Sequence, residues 1–183
     1  MQPEIVDYKT VGDVTLRMHI FPARRGHVPE ATSAAAEGDR YVSPGKPAIV
    51  FFFCGGWNGF DAAKMFPQSE YLVSRGMVAF NAEVRVCETH GTTPTECVID
   101  GKSALRWMRA PAAGYGVDPD RIVASGGSAA GHISACAALI DGFNDPADDL
   151  SVSPVPNALV LFNPATNVHG LQRRVQMFGG VER

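Results

Sequence analysis

Ser128 stands in Ile122-Val123-Ala124-Ser125-Gly126-Gly127-Ser128-Ala129-Ala130-Gly131-His132. An apolar strand runs into a glycine turn, and an alanine-rich helix opens directly after it. This layout drives a serine hydroxyl out of a tight bend and leaves the first N–H groups of the helix free beside it. Such a serine is built to attack an acyl carbon and form a covalent ester. Gly126 and the small residue at 130 relieve crowding where the backbone bends. The Ala129 N–H points where an oxyanion would form, aided by the helix dipole. A second glycine turn, Cys54-Gly55-Gly56-Trp57-Asn58-Gly59, also follows an apolar run. Its backbone lets Gly55 and Gly56 aim further N–H groups at the same place, each such donor being worth about 10²–10³ in rate.

Hydrophobic patterning supplies the elements that must hold these turns. Residues 5–21 read as a hairpin around Gly12-Asp13, with Val14, Leu16, Met18 and Ile20 alternating with polar partners. Residues 22–47, rich in Pro, Gly, Ala and charge, read as a surface loop. Ala48 to Phe53 is a solid apolar run suited to a strand buried on both faces. A helix is expected over Gln68–Arg75, closed by Gly76, and a second buried strand from Met77 to about Val86. Thr93-Pro94-Thr95-Glu96 combines an N-cap threonine, a proline at the first helical position and a glutamate that completes a capping box. That helix should run past Met108, until Pro111 and Gly114 weaken it. Asp118-Pro119-Asp120 reads as a turn into the strand before Ser128. The helix after it spans Ser128–Ile140, an acidic loop covers 143–157, and Ala158–Phe162 is one more buried strand. Strands alternating with helices predict an α/β fold, a mostly parallel sheet with helices on both faces, in one domain.

Composition removes several alternatives. A chain of 183 residues, 45% hydrophobic, can bury roughly 70% of its unfolded surface in one domain. A net charge of −3 with dispersed basic residues argues against a nucleic-acid partner; the pairs Arg24-Arg25 and Arg173-Arg174 read as solvated surface. The four cysteines show no CxxC pair and no metal-type spacing with histidine, so free thiols in a reducing compartment are expected. The start carries no basic and apolar leader, and no run approaches the ~20 residues of a membrane span. A cytoplasmic protein without membrane association is the expectation.

Phe51-Phe52-Phe53-Cys54-Gly55-Gly56-Trp57 resembles the HGGG-type oxyanion turn of hormone-sensitive-lipase-like carboxylesterases. It is closer still to the Phe-Gly-Gly-Gly-Trp form of bacterial acetyl-xylan- and feruloyl-esterase-like α/β-hydrolases. Ala124-Ser125-Gly126-Gly127-Ser128-Ala129-Ala130-Gly131-His132 is similar to the elbow of that group. Asp118-Pro119-Asp120-Arg121-Ile122 and Val160-Leu161-Phe162-Asn163-Pro164 extend the likeness over most of residues 41–165. The resemblance implies an α/β-hydrolase fold, with Ser128 as nucleophile and Gly55, Gly56 and Ala129 as oxyanion donors. It implies a small-molecule ester substrate, such as an acetyl group on a sugar, and no metal or cofactor. Three positions depart from the pattern. Phe53 stands where many relatives have histidine, Cys54 replaces the first glycine, and Ala130 replaces the last glycine of GxSxG. Cys54 would cost backbone freedom if its position required positive φ.

In such hydrolases the serine is followed by an acid and then a histidine, each after a later strand. Here one strand and 21 residues follow the Ser128 helix. His132 reads as a structural histidine on a helix packed on the sheet, and His169 as part of a solvated loop. Asp145, Asp148 and Asp149 precede the last strand, on the wrong side for a triad acid. The resemblance therefore implies the N-terminal part of a hydrolase whose acid and base lie downstream. Such a piece would retain only ~10³–10⁴ over the uncatalysed rate, and its sheet would expose an edge and an apolar face.

Trp57 either walls an acyl or alcohol pocket or anchors its loop in the core. His90 either lines the pocket rim or belongs to a plain capping loop. Glu83 and Arg85, at the carboxyl end of a strand, are expected in an ion pair supporting a loop. Asp100 and Lys102 are expected to be structural. Two other functions stay open: a non-catalytic binding or scaffold protein of the same fold, and a phosphate-binding turn at 126–128. Against the latter, serine occupies the middle glycine site of GxGxxG, and no acidic residue ends a strand ~20 residues later.

Overall fold

The computed structural model of the chain describes residues 1–23, 45–110 and 112–167. Two strands, β1 (Glu4–Val11) and β2 (Val14–Phe21), form the expected hairpin, with Val11 opposite Val14 and Gly12 at φ +56°. The chain then alternates. It runs through β3 (Lys46–Phe52), the two-residue strands β4 (Cys54–Gly55) and β5 (Gly59–Phe60), α1 (Phe66–Ser74), β6 (Val78–Ala82) and α2 (Cys87–His90). It continues through α3 (Pro94–Arg109), β7 (Val117–Gly127), α4 (Ala129–Leu139) and β8 (Ala158–Phe162). Single 3₁₀ turns lie at Ala62–Met65 and Ala112–Tyr115.

Six strands form one sheet in the order β1-β2-β6-β3-β7-β8. The first two run antiparallel to their neighbours; β6, β3, β7 and β8 are parallel. The solid apolar run in β3 is buried on both faces because helices cover both. Met18, Val50, Phe52 and Phe80 pack with Leu105 and Met108 of α3 and Ile133 of α4. On the other face Phe21, Ile49, Phe51 and Ala79 pack with Val73 of α1. α3 and α4 come close where Gly101 lies: a Cβ there would meet Ile133 Cγ2 at 2.5 Å. The capping box forms as expected, with the Thr95 N–H donating to Thr93 Oγ1 at 3.2 Å and the Thr93 N–H donating to Glu96 Oε2 at 2.7 Å.

Four local expectations differ from the structure. β3 starts two residues early and stops at Phe52, since the chain turns into the β4–β5 hairpin. The first helix opens at Phe66, with Pro67 inside its first turn, and ends at Ser74. β6 ends at Ala82, not Val86, because residues 83–86 leave the sheet and Arg85 is drawn onto Asp100 of α3. Asp118-Pro119-Asp120 is not a turn before the strand but an irregularity within β7. The register with β3 jumps between Lys46 and Ala48, and Asp118 Oδ1 accepts the Asp120 N–H.

β8 pairs only with β7 among the described residues. Val160 and Phe162 are 44% and 52% exposed, beside an apolar groove of about 490 Å³ that also takes in Phe51, Leu72 and Val123. The exposed edge and apolar face expected from the sequence are both present among the described residues, but β8 itself, expected to be buried, is exposed or half-buried throughout, because nothing described pairs with its outer edge.

The acidic loop after α4 is held by charge. Lys9 of β1 lies 2.8 Å from both Asp100 Oδ1 and Asp145 Oδ2 and donates to Ser103 Oγ at 2.9 Å. Arg106 meets Asp148 at 3.1 Å and donates to Asn144 Oδ1. Lys102, 2% exposed, donates to the carbonyls of Ile140 and Gly142, satisfying orphan acceptors at the end of α4. Asp149 accepts from Ser151 within its own loop. The expected structural roles of Asp100 and Lys102 thus have definite partners.

Candidate active site

β7 delivers Ser128 to the carboxyl edge of the sheet, where its residue φ is +51° and ψ −118°. A serine held at positive φ is strained, and surrounding bonds keep it there. Its N–H donates to the Phe162 carbonyl at 3.0 Å. Its own carbonyl accepts from His132 N–H at 3.1 Å and Ala165 N–H at 3.0 Å. β8 and the segment after it therefore brace the bend. Ser128 is exposed, while Ala129 and Ala130 are buried. No side chain among the described residues hydrogen-bonds the Ser128 hydroxyl.

The small residues around the bend have steric reasons. A Cβ at Gly126 would lie 2.7 Å from the carbonyl carbon and Cβ of Ala130, and one at Gly131 would lie 2.9 Å from Pro164 Cβ. Gly126→Val should destabilise the protein by roughly 1–3 kcal/mol, because the obstructing atoms include backbone. Chemical denaturation would show it as a lower midpoint at unchanged slope.

The second glycine turn is a miniature hairpin. Asn58 N–H donates to the Gly55 carbonyl at 3.0 Å, and the two central residues, Gly56 and Trp57, have φ +59° and +63°. Paired left-handed residues are the pattern of a type I′ turn, here within a three-residue connection of Gly56, Trp57 and Asn58 between the paired Gly55 and Gly59. Cys54 is not among the positive-φ residues, so its side chain causes no strain there. A Cβ at Gly55 or Gly56 would meet nothing within 4 Å: the turn faces open space. α4 packs against β4 as well as β3, bringing this turn beside the Ser128 helix.

Trp57 is 1% exposed and lies within the main core. Its indole meets the His132 ring edge-on, with centroids 5.4 Å apart. His132 is half-buried, its Nε2 lies 3.3 Å from Cys136 Sγ, and burial pushes its pKa down. These contacts fit the structural role expected of it. His169 lies outside the described residues, as do Arg24-Arg25 and Arg173-Arg174.

His90 ends α2, beyond the segment that leaves β6. Its Nδ1 accepts the Val86 N–H at 2.9 Å, which fixes the other ring nitrogen, Nε2, as the protonated one in the neutral tautomer. α2 in turn grips the glycine turn: Cys87 N–H donates to the Trp57 carbonyl and Glu88 N–H to that of Asn58. Sequence reasoning missed α2, because four residues carry too little periodicity to show a helix.

Glu83 and Arg85 have different partners, and of the two only Arg85 faces a fixed opposite charge. Glu83 lies 3.0 Å from His19 Nε2 and accepts the Arg17 N–H. Arg85 clamps Asp100 in two bonds of 2.8 Å, and its N–H adds a third at 2.9 Å. That hydrogen bonding to Asp100 outweighs burial and raises the guanidinium pKa. Asp145 and Asp148 are committed to Lys9 and Arg106. Among the described residues there is no group of three or more His, Cys, Asp or Glu side chains placed to hold a metal ion, and no helix is long and apolar enough to cross a membrane.

With this geometry in hand, the chain can be compared with known proteins. The BD-FAE family model matches residues 40–172. Thermogutta terrifontis esterase 2 in its apo form is 38% identical, with a TM-score of 0.82; the match covers 98% of this chain and 63% of that one. The same esterase phosphorylated by paraoxon is 40% identical with a TM-score of 0.77, covering 89% of this chain and 57% of that one. It has also been solved with propionate and with butyrate bound. The probable carboxylic ester hydrolase LipM of Mycobacterium tuberculosis is 36% identical over 104 residues, which are 56% of this chain and 23% of LipM. The chain thus spans less than two thirds of each of these relatives. On the family match and the shared architecture, the chain belongs to the BD-FAE family of carboxylesterase-like α/β-hydrolases.

Proposed function

We propose that the chain carries the nucleophile and oxyanion site of a serine carboxylesterase, with Ser128 as nucleophile and the amides of Gly55, Gly56 and Ala129 as donors. The observation that carries this reading is the exposed serine at φ +51° between a strand end and a helix N-terminus. The open Gly55-Gly56 turn beside that helix supports it.

In the first half-reaction the Ser128 hydroxyl adds to the ester carbonyl carbon as its proton passes to a base. The carbonyl oxygen becomes an oxyanion facing the amides. The bond to the alcohol oxygen then breaks, the alcohol leaves with that proton, and an acyl-serine remains. Water repeats the addition, releases the carboxylic acid and restores Ser128. His19 faces Glu83 and His132 faces Cys136, while the Nδ1 of His90 already accepts the Val86 N–H and leaves it a donor at Nε2. The base therefore comes from residues beyond those described.

The acyl group is short. The similar esterase binds propionate and butyrate, and a sugar acetate fits the same class. Trp57, buried under the turn, holds the donors in place from below, and His90 offers its Nε2–H at the rim to an acceptor on the alcohol side of the ester.

The test is labelling with a fluorophosphonate probe in the folded, intact gene product. Peptide mapping should place one adduct on Ser128, and Ser128→Ala should remove it. A folded protein that takes no label, or takes it on another residue, refutes the reading. Capture by such a probe would match the phosphorylation of the similar esterase by paraoxon.

A further inference from the structure

Val86 and His90 close a one-turn latch beside the glycine turn. The Val86 N–H donates to His90 Nδ1 at 2.9 Å, and the His90 N–H donates to the Val86 carbonyl at 2.9 Å. Both polar groups of the Val86 main chain are thus taken by one residue. The Gly91 N–H ends the turn, donating to the Cys87 carbonyl at 2.8 Å with Gly91 at φ +65°. A helix of four residues does not hold itself in water, so α2 depends on these bonds. A valine N-cap brings no side-chain acceptor of its own, and the imidazole supplies the side-chain bond at that end. The first two N–H groups of α2 have no partner within so short a helix, and they reach out to the glycine turn. Cys87 N–H donates to the Trp57 carbonyl at 2.9 Å and Glu88 N–H to the Asn58 carbonyl at 3.1 Å. The Asn58 N–H in turn reaches back to the Gly55 carbonyl. A continuous run of hydrogen bonds and peptide links therefore joins the His90 ring to the backbone of Gly55 and Gly56.

We propose that His90 is a positioning residue for the oxyanion donors: by accepting the Val86 N–H at Nδ1 it closes α2, and α2 holds the Gly55-Gly56 turn through the carbonyls of Trp57 and Asn58. The inference rests on the esterase reading of Ser128 and concerns the ring nitrogen that faces the protein, not the Nε2 at the rim. Val86 is 1% exposed, so without Nδ1 its N–H loses its partner at a cost, and the turn of α2 opens. Trp57 is a bulky residue at φ +63°, a conformation that outside bonds must maintain. Once Cys87 and Glu88 let go, Trp57 relaxes, and the neighbouring Gly56 amide turns from the oxyanion position.

His90→Gln, His90→Asn and Cys87→Pro, made in the intact gene product, test this. Asparagine carries its carbonyl oxygen on Cγ, as histidine carries Nδ1, and keeps the acceptor; glutamine carries its amide one bond further out, near the place of Nε2, and loses it. Cys87→Pro deletes the donor to Trp57 alone. Residue 87 is exposed and first in α2, where proline is tolerated, and Val86 is already extended at φ −130° and ψ 157°, as the residue before a proline must be. Val73→Ala serves as a control for lost stability, because Val73 is 2% exposed and packs on the opposite face of the sheet. The readouts are steady-state hydrolysis of p-nitrophenyl acetate and hydrogen–deuterium exchange over residues 54–58. His90→Gln should lower kcat about tenfold or more with KM within about twofold, since misplaced oxyanion donors are missed only in the transition state. Exchange over 54–58 should rise. His90→Asn should keep kcat within about threefold and exchange unchanged, the lost Nε2 hydrogen showing in KM. Cys87→Pro should reproduce the His90→Gln result and decides the matter if His90→Gln does not fold; Val73→Ala should move neither readout. Unchanged kcat and exchange in folded His90→Gln or Cys87→Pro overturn the proposal. So does a His90→Asn loss as large as that of His90→Gln, or an equal kcat loss in Val73→Ala. A wild-type protein without esterase activity would refute the reading of Ser128 instead, and exchange alone would then decide whether His90 holds the turn.

Discussion

Ser128→Ala should reduce ester hydrolysis by the intact gene product about 10⁴–10⁶-fold while leaving its thermal stability nearly unchanged. The size follows from the nucleophile's place in the mechanism, since without an oxygen to acylate neither half-reaction can run and only binding and oxyanion donors remain. Stability should survive because the Ser128 side chain is exposed and makes no hydrogen bond among the described residues. The bend is held by main-chain bonds to Phe162, His132 and Ala165, and alanine keeps them. Alanine at φ +51° is strained, but serine already is. The measurement is kcat/KM for p-nitrophenyl acetate beside a melting curve. A loss under tenfold would mean that another residue performs the attack.

Asp100→Ala should destabilise the protein by about 3–5 kcal/mol, the cost of leaving buried opposite charges without their partner. At roughly 2–4 °C per kcal/mol for a chain of this size, the melting temperature should fall by about 6–20 °C. Asp100 is 0% exposed and receives Lys9, Arg85 Nε, Arg85 Nη2 and the Arg85 N–H. Removing it leaves Arg85 without a carboxylate partner and Lys9 with Asp145 alone. Asp100→Asn, which keeps shape and some acceptors, should lose less. The same cluster responds to acid. The hydrogen bond from Lys9 is the largest influence on Asp145 and holds its carboxyl below the usual range. A depressed folded pKa means that this stabilisation is complete above the unfolded value, near 3.9, and is lost as pH falls through the lower folded value. Denaturant titrations at pH 6 and pH 3 should therefore show an acid loss that is smaller in Asp145→Asn. An identical loss in that variant would place the acid sensitivity elsewhere.

Much of the fold was legible because its signals are local. The β1–β2 hairpin, the Thr93–Glu96 capping box and the β8 run each announce themselves within a few residues, and the structure places them where the patterns say, although β8 is exposed rather than buried. What escaped depends on distant partners. Val84 and Val86 alternate with charged residues as a continuing strand would, but Asp100, fifteen residues on from Arg85, pulls that residue out of the sheet. The Asp118-Pro119-Asp120 stretch reads as a turn, yet pairing with β3 on both sides keeps it within β7. Lys9, which gathers Asp100, Asp145 and Ser103, carries no sequence signal, because its partners lie more than ninety residues away. At the site, the elbow and the glycine turn were both readable as strand–turn signals. The bonds by which α2 holds the glycine turn were not, since four residues carry too little periodicity to reveal that helix.

The most direct test of the central claim is a crystal structure of the intact gene product after reaction with paraoxon. A phosphoryl group should stand on Ser128 Oγ, with its non-bridging oxygen about 3 Å from the amide nitrogens of Ala129 and of Gly55 or Gly56. A phosphoryl oxygen turned to solvent, with the glycine turn out of hydrogen-bond reach, would contradict it.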